Sequence, residues 1–142
     1  PQILPMIDQV GLYQTIRFEE SAYSASNAVP RSSILRAMLC PSDSSNVVTS
    51  GNGSTQIAFT NYAACFGGED VPIDTENSGL LFLNSRITFA QIRDGASNTI
   101  LAGEKTIVAG TSDLGWLSGT RSTLRNTGVR INQGWDQSSV KG

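Results

Sequence analysis

The sequence predicts an α+β fold, rich in loops, in which short helices come first and short strands follow. Three observations carry this expectation. Apolar residues recur at helical spacing in two stretches of the first forty residues, whereas later apolar stretches alternate or run continuously over short spans. Turn-forming residues punctuate the chain throughout. At 142 residues the chain is long enough to bury one core and too short for two, so residues 1–142 read as a single domain without an internal repeat or linker.

The elements follow in order. "PQILPMIDQVGLYQTI" sets Ile3, Ile7 and Val10 at helical spacing, with Pro5 tolerable near a helix start. "SNAVPRSSILRAMLCP" predicts a second helix. Ser26 or Asn27 caps it, Pro30 falls in the first turn, Ile34, Leu35 and Met38 make the apolar stripe, and Pro41 ends it. After the polar loop "SDSSNVVTSGNGST", the stretch "TQIAFTNYAACFGG" puts Ile57, Phe59, Ala63 and Cys65 on one face of a strand that Gly67 and Gly68 close. "EDVPIDTENS" is an acidic loop, and "GLLFLN" reads as a short apolar strand. In "TFAQIRDG", Thr88 and Gln91 stand at capping-box spacing and Gly95 supplies a left-handed stop, which predicts one helical turn. "NTILAGEKTIVAG" reads as a further strand. The remainder holds Trp116, Trp135 and many turn formers with little periodicity.

Composition narrows the function classes. Hydrophobic residues make up 39% and charged residues 15%, which fits a globule with a polar, largely uncharged surface. The net charge of −2 offers no electrostatic footprint for nucleic acid. No apolar run approaches the roughly 20 residues that cross a bilayer. The chain contains no His, which removes the usual general base and the ligands of an ordinary zinc site. Its two cysteines, Cys40 and Cys65, are therefore either a disulfide or two buried thiols. The bridge is the expectation, since low charge and an abundance of Ser, Thr and Asn suit an extracytoplasmic surface; it would contribute roughly 3 kcal/mol.

Candidate chemistry competes with plainer readings. Asp70, Asp74, Glu76, Asp94 and Glu104 are the carboxylates from which a hydrolase pair would be drawn, but their spacing selects no pair, and solvated loop carboxylates are the simpler account. Asp43, Asp70, Asp74, Glu76 and Asp94 are candidate oxygen ligands for calcium without an EF-hand pattern; no other metal or cofactor is expected. Asn52-Gly53-Ser54 matches a glycosylation sequon of the kind Gly-rich loops produce by chance. "GGED" and "GNGS" lack the flanking residues of a phosphate cradle. Trp116 and Trp135, with Arg121 and Arg125, are the candidate contacts for a glycan or solute, and Lys105 and Arg130 extend that basic region. In "DGASNTILAGE", Asp94 and Gly95 end a helical turn, and Ser97 and Asn98 bond nearby backbone before Thr99 opens a strand. That polar cluster needs no catalytic role.

Five pieces in this order, "ILPMIDQVGLY", "LCPSDSS", "TNYAACFGG", "RITFAQIRDGASNTILAGE" and "RSTLRNTGVRIN", span nearly the whole chain. Together they resemble a large family of prepilin-like bacterial proteins, abundant in planctomycetes and often labelled a domain of unknown function. The resemblance marks Cys40, Pro41, Asp43, Asp94, Gly95, Ser97, Asn98 and Glu104 as fold-determining motif residues. Members of that family begin with a prepilin leader and a long apolar helix and end in a His-x9-Asp-Gly motif. The resemblance thus implies that this chain is the central globular part of a longer protein. It further implies a pilin-like head built on an antiparallel sheet, extracytoplasmic and membrane-anchored only through an N-terminal helix. The implied partners are copies of itself, other pilin-like subunits and secretion components; the alternative is an extracellular module for glycans or solutes.

Overall fold

The computed structural model describes residues 1–43, 49–107 and 113–128. It is an α+β arrangement of two short helices, α1 (Val10–Thr15) and α2 (Ala28–Ser32), and five strands: β1 (Thr49–Ser50), β2 (Ile57–Ala58), β3 (Tyr62–Gly67), β4 (Ala102–Glu104) and β5 (Leu124–Asn126). Single 3-10 turns link them. β1 and β2 pair antiparallel. The larger sheet has the order β4-β3-β5; β4 lies antiparallel to β3, with Tyr62 opposite Glu104, whereas β5 lies parallel to it, so the sheet is mixed. No helix among the described residues is long and apolar enough to cross a membrane.

The first helical stretch is broken where the sequence suggested continuity. A 3-10 turn over Leu4–Ile7 ends at Asp8, whose φ of 60° is left-handed, and α1 starts again at Val10. That break rotates the apolar face. Leu4 and Ile16 are buried, while Ile3 and Val10, expected in the stripe, are half exposed. The second stretch is shorter than expected too. α2 stops at Ser33, where the chain turns extended, and a separate 3-10 turn covers Arg36–Met38. Leu35 is buried and Ile34 is not. Asn27 stands at the N-cap of α2 as expected but makes no side-chain cap bond there, and its N–H donates to the Ser24 hydroxyl, which caps the preceding 3-10 turn. The Asn27 side chain is occupied elsewhere, accepting from the Arg17 N–H and donating to the carbonyls of Arg17 and Ser21.

Leu4, Ile16, Leu35, Ala58, Trp116 and Leu117 form the buried cluster that joins the helical half to β2, with Leu12, Tyr13 and Met38 packed against it. Arg31 is buried as well. Its guanidinium donates to the carbonyls of Ala22, Ser24 and Gln56, which satisfies the charge-bearing group without placing it in solvent.

The expected strand over "GLLFLN" does not form. Gly79 and Leu81 each donate one bond to β3, at the carbonyls of Phe66 and Cys65. Both edges of β3 are otherwise taken by β4 and β5, so the chain turns away through Asn84, whose φ is 59°. Gly79 runs so close to β3 that a Cβ there would stand 2.3 Å from the Phe66 carbonyl carbon. The single turn at Phe89–Gln91 carries the capping box expected from Thr88 and Gln91.

Candidate functional site

Three stretches singled out in the sequence meet at one buried side chain. Asn61, 2% exposed, lies between β2 and β3, and its backbone N–H donates to the Met38 carbonyl while its carbonyl accepts from the Lys105 N–H. Its side-chain oxygen accepts from the Cys40 N–H at 2.9 Å. Its side-chain nitrogen donates to the Asp43 carboxylate and to the Lys105 carbonyl. Cys40, Pro41 and Asp43 form a turn closed by the Asp43 N–H on the Cys40 carbonyl, and Asn61 ties that turn to the end of β4. Pro41 itself is exposed.

Beyond Asn61 the network becomes ionic. The Lys105 ammonium meets the Asp113 carboxylate at 2.6 Å, with both side chains under a tenth exposed. Burial would raise the Asp113 carboxyl, but hydrogen bonds from Lys105, Ser122 and the Gly115 N–H, together with the Lys105 charge, outweigh it and hold the group below its ordinary value. The Arg125 guanidinium, on β5, sits below its ordinary value, first through burial and then through Arg121; Asp113 opposes the shift. Its Nε is buried with no hydrogen-bond partner among the described residues. An ionised, locked carboxylate beside fixed cations is suited to holding loops together. It is poorly suited to exchanging a proton near neutrality.

The other sequence candidates fall apart spatially. Cys40 and Cys65 are free thiols, which corrects the expected staple. The Cys40 thiol lies on the Tyr62 side and helps to raise the Tyr62 phenol. Tyr62 and Cys65, three positions apart on one strand, point to opposite faces. Cys65 turns instead to the Gly67 carbonyl. Desolvation, then Cys40 and Glu104, raise the Tyr62 phenol above its ordinary value.

Trp116 is 3% exposed and its Nε1 donates to the Ser33 carbonyl at 3.0 Å, so it is a core residue and offers no stacking face. That removes it from the glycan reading. Trp135 and Arg130 lie outside the described residues, and Arg121 is exposed. Asp94, Gly95, Ser97 and Asn98 are exposed and do local work: Gly95 has a φ of 82°, and Asn98 donates to the Asp94 carbonyl. The expected bond from Ser97 to nearby backbone is not found among the described residues. Glu104 ends β4 on an exposed edge.

Among the described residues no three acidic or Cys side chains group as metal ligands. Asp70 accepts from Asn126, and Asp74 accepts from the Thr75 N–H and hydroxyl. Two open depressions remain. One, of about 340 Å³, lies in the acidic loop and is lined by Glu69, Asp74 and Glu76. The other, of about 170 Å³, is an apolar groove between Leu81, Ile87, Phe89, Ile92 and Leu101.

Sequence reasoning missed Asn61, Asp113 and Arg31. The signal for Asn61 was present in "FTNYA", where Thr60 and Asn61 interrupt an apolar alternation; a polar pair inside a buried strand demands partners. A family model described as "protein of unknown function (DUF1559)" matches residues 1–140. No curated protein and no solved structure matches the chain.

Proposed function

This chain belongs to the DUF1559 family, and from that premise we propose that it is a structural, non-enzymatic subunit of pilin or pseudopilin type in a bacterial envelope or secretion-associated assembly. In this reading it works outside the cytoplasm and is held there, in full-length form, by an N-terminal helix. Its partners are copies of itself, other pilin-like subunits and secretion components.

One observation supports the reading most directly. Cys40, Asp43 and Asn98 of the polar motif are spent on internal hydrogen bonds, while large apolar side chains between residues 83 and 101 are left in solvent: Leu83 is 48% exposed, Phe89 85%, Ile100 56% and Leu101 55%. Apolar surface gathered in one region suits contact with another protein more than chemistry on a small substrate. The test is cross-linking in intact source cells followed by fractionation. Multimeric adducts containing this chain in the envelope fraction are expected. Recovery of the chain solely as a cytoplasmic monomer would overturn the reading.

A further inference from the structure

Residues 80–101 and residues 69–78 are adjacent in the chain and opposite in character. The first form the apolar groove, and two exposed cations stand next in sequence to its lining residues, Arg86 before Ile87 and Arg93 after Ile92. Their charge is offset only by Asp94, so this segment is net positive in a chain that is net negative. The second segment carries Glu69, Asp70, Asp74 and Glu76, all exposed, and no cation. It also presents Val71 at 36% exposure beside Pro72. None of Arg86, Arg93, Glu69 or Glu76 forms an ion pair with a described residue.

We infer that the apolar groove over residues 80–101 is a docking surface for the acidic loop, residues 69–78, of a second copy of this chain. The argument is charge complementarity around an apolar centre. Val71 and Pro72, exposed in the lining of the acidic-loop depression, supply apolar surface to match the groove, and the neighbouring carboxylates complement two guanidinium groups that pair with no described residue. Arg suits this task because its planar fork donates bidentately to carboxylates and is weakly hydrated. An acidic loop exposed on every copy supplies such a partner at the concentration of the protein itself. The inference rests on the structural-subunit reading and names the surfaces through which copies meet.

The test is a charge swap on the 142-residue chain. Glu69→Lys with Glu76→Lys takes the loop from four negative charges to none net, and Arg86→Glu with Arg93→Glu makes both surfaces acidic. These four side chains are exposed and make none of the hydrogen bonds described above, and circular dichroism will check that each variant folds. In sedimentation experiments at low salt, wild type is expected to self-associate, each double variant alone to lose at least about tenfold in affinity, and an equimolar mixture of the two to recover it. Added salt weakens wild-type association. Association of wild type that neither variant alters overturns the proposed surfaces while leaving the subunit reading intact. A strictly monomeric wild type overturns both. Binding of wild type to vesicles of anionic phospholipid, lost in the Arg variant and unaccompanied by self-association, assigns the groove to a membrane and overturns the proposal.

Discussion

The network around Asn61 and the arm from residue 80 to 101 solve the same problem in opposite ways. Asn61 bonds across 18, 21 and 44 positions of sequence to Asp43, Cys40 and Lys105, and Lys105 then reaches Asp113 in a buried ion pair. Tied to β3 near its ends by Leu81 and Leu101, both bonded to Cys65, the arm is otherwise held by bonds spanning three or four positions, from Thr88 to Gln91, from Asn98 to Asp94 and from Thr99 to Gly95. It keeps its apolar side chains largely outside the core. The contrast separates two sorts of polar residue. Those at the network cross-tie distant loops, and their loss removes tertiary structure; those on the arm shape a surface, and their loss stays local.

The largest effect is expected at the buried ion pair. Asp113→Ala leaves the Lys105 ammonium buried without its partner and should cost about 3–5 kcal/mol in denaturant unfolding near neutral pH. The pH dependence follows from the sign of the Asp113 shift. Its folded value lies below the unfolded one, so its stabilisation is complete above the unfolded value of about 4 and is lost as pH falls through the folded value. The gap between wild type and Asp113→Ala should therefore narrow below about pH 4. A gap that stays constant into strong acid would show that Asp113 does not titrate against the fold.

Asn61→Ala comes next. It strands the Cys40 N–H and frees the Asp43 turn, with an expected loss of about 2–3 kcal/mol and faster amide exchange at Cys40. A loss below about 1 kcal/mol would mean that solvent replaces the network.

Phe89→Ser sharpens the comparison from the other side. At 85% exposure it should change stability by no more than about 0.5 kcal/mol, while the variant self-associates measurably more weakly than wild type. A large loss of stability would move the arm into the core and erase the distinction drawn here.

The same distinction explains which parts of the protein were readable in advance. The capping box at Thr88 and Gln91 was legible, because it is a contract between residues within one turn, whereas Gly95 has a positive φ but precedes the next 3-10 turn, the expected helical turn having already ended at Ile92. Also legible was the inward face of β3 at Ala63 and Cys65, although the single strand expected from Ile57 to Cys65 is split at Thr60 and Asn61 into β2 and β3, which lie in different sheets, and in β2 Ala58 is buried where Ile57 was expected. The helix stripe at Ile3 and Val10 failed because Asp8 reverses the chain between them, and a left-handed residue resets the phase of any periodic pattern. The strand at 80–83 failed because strand formation needs an edge, and sequence composition does not say whether one is vacant.

By itself, then, the sequence determined the α+β class, the order of helices before strands, the local turns of the arm and the absence of any His-based chemistry. Tertiary structure alone decided that Cys40 and Cys65 face apart, that Trp116 is a core residue and that Asn61 gathers the loops. Local hydrogen bonds are set by neighbours along the chain, whereas burial, pairing and cross-ties depend on which distant segments arrive at the same place.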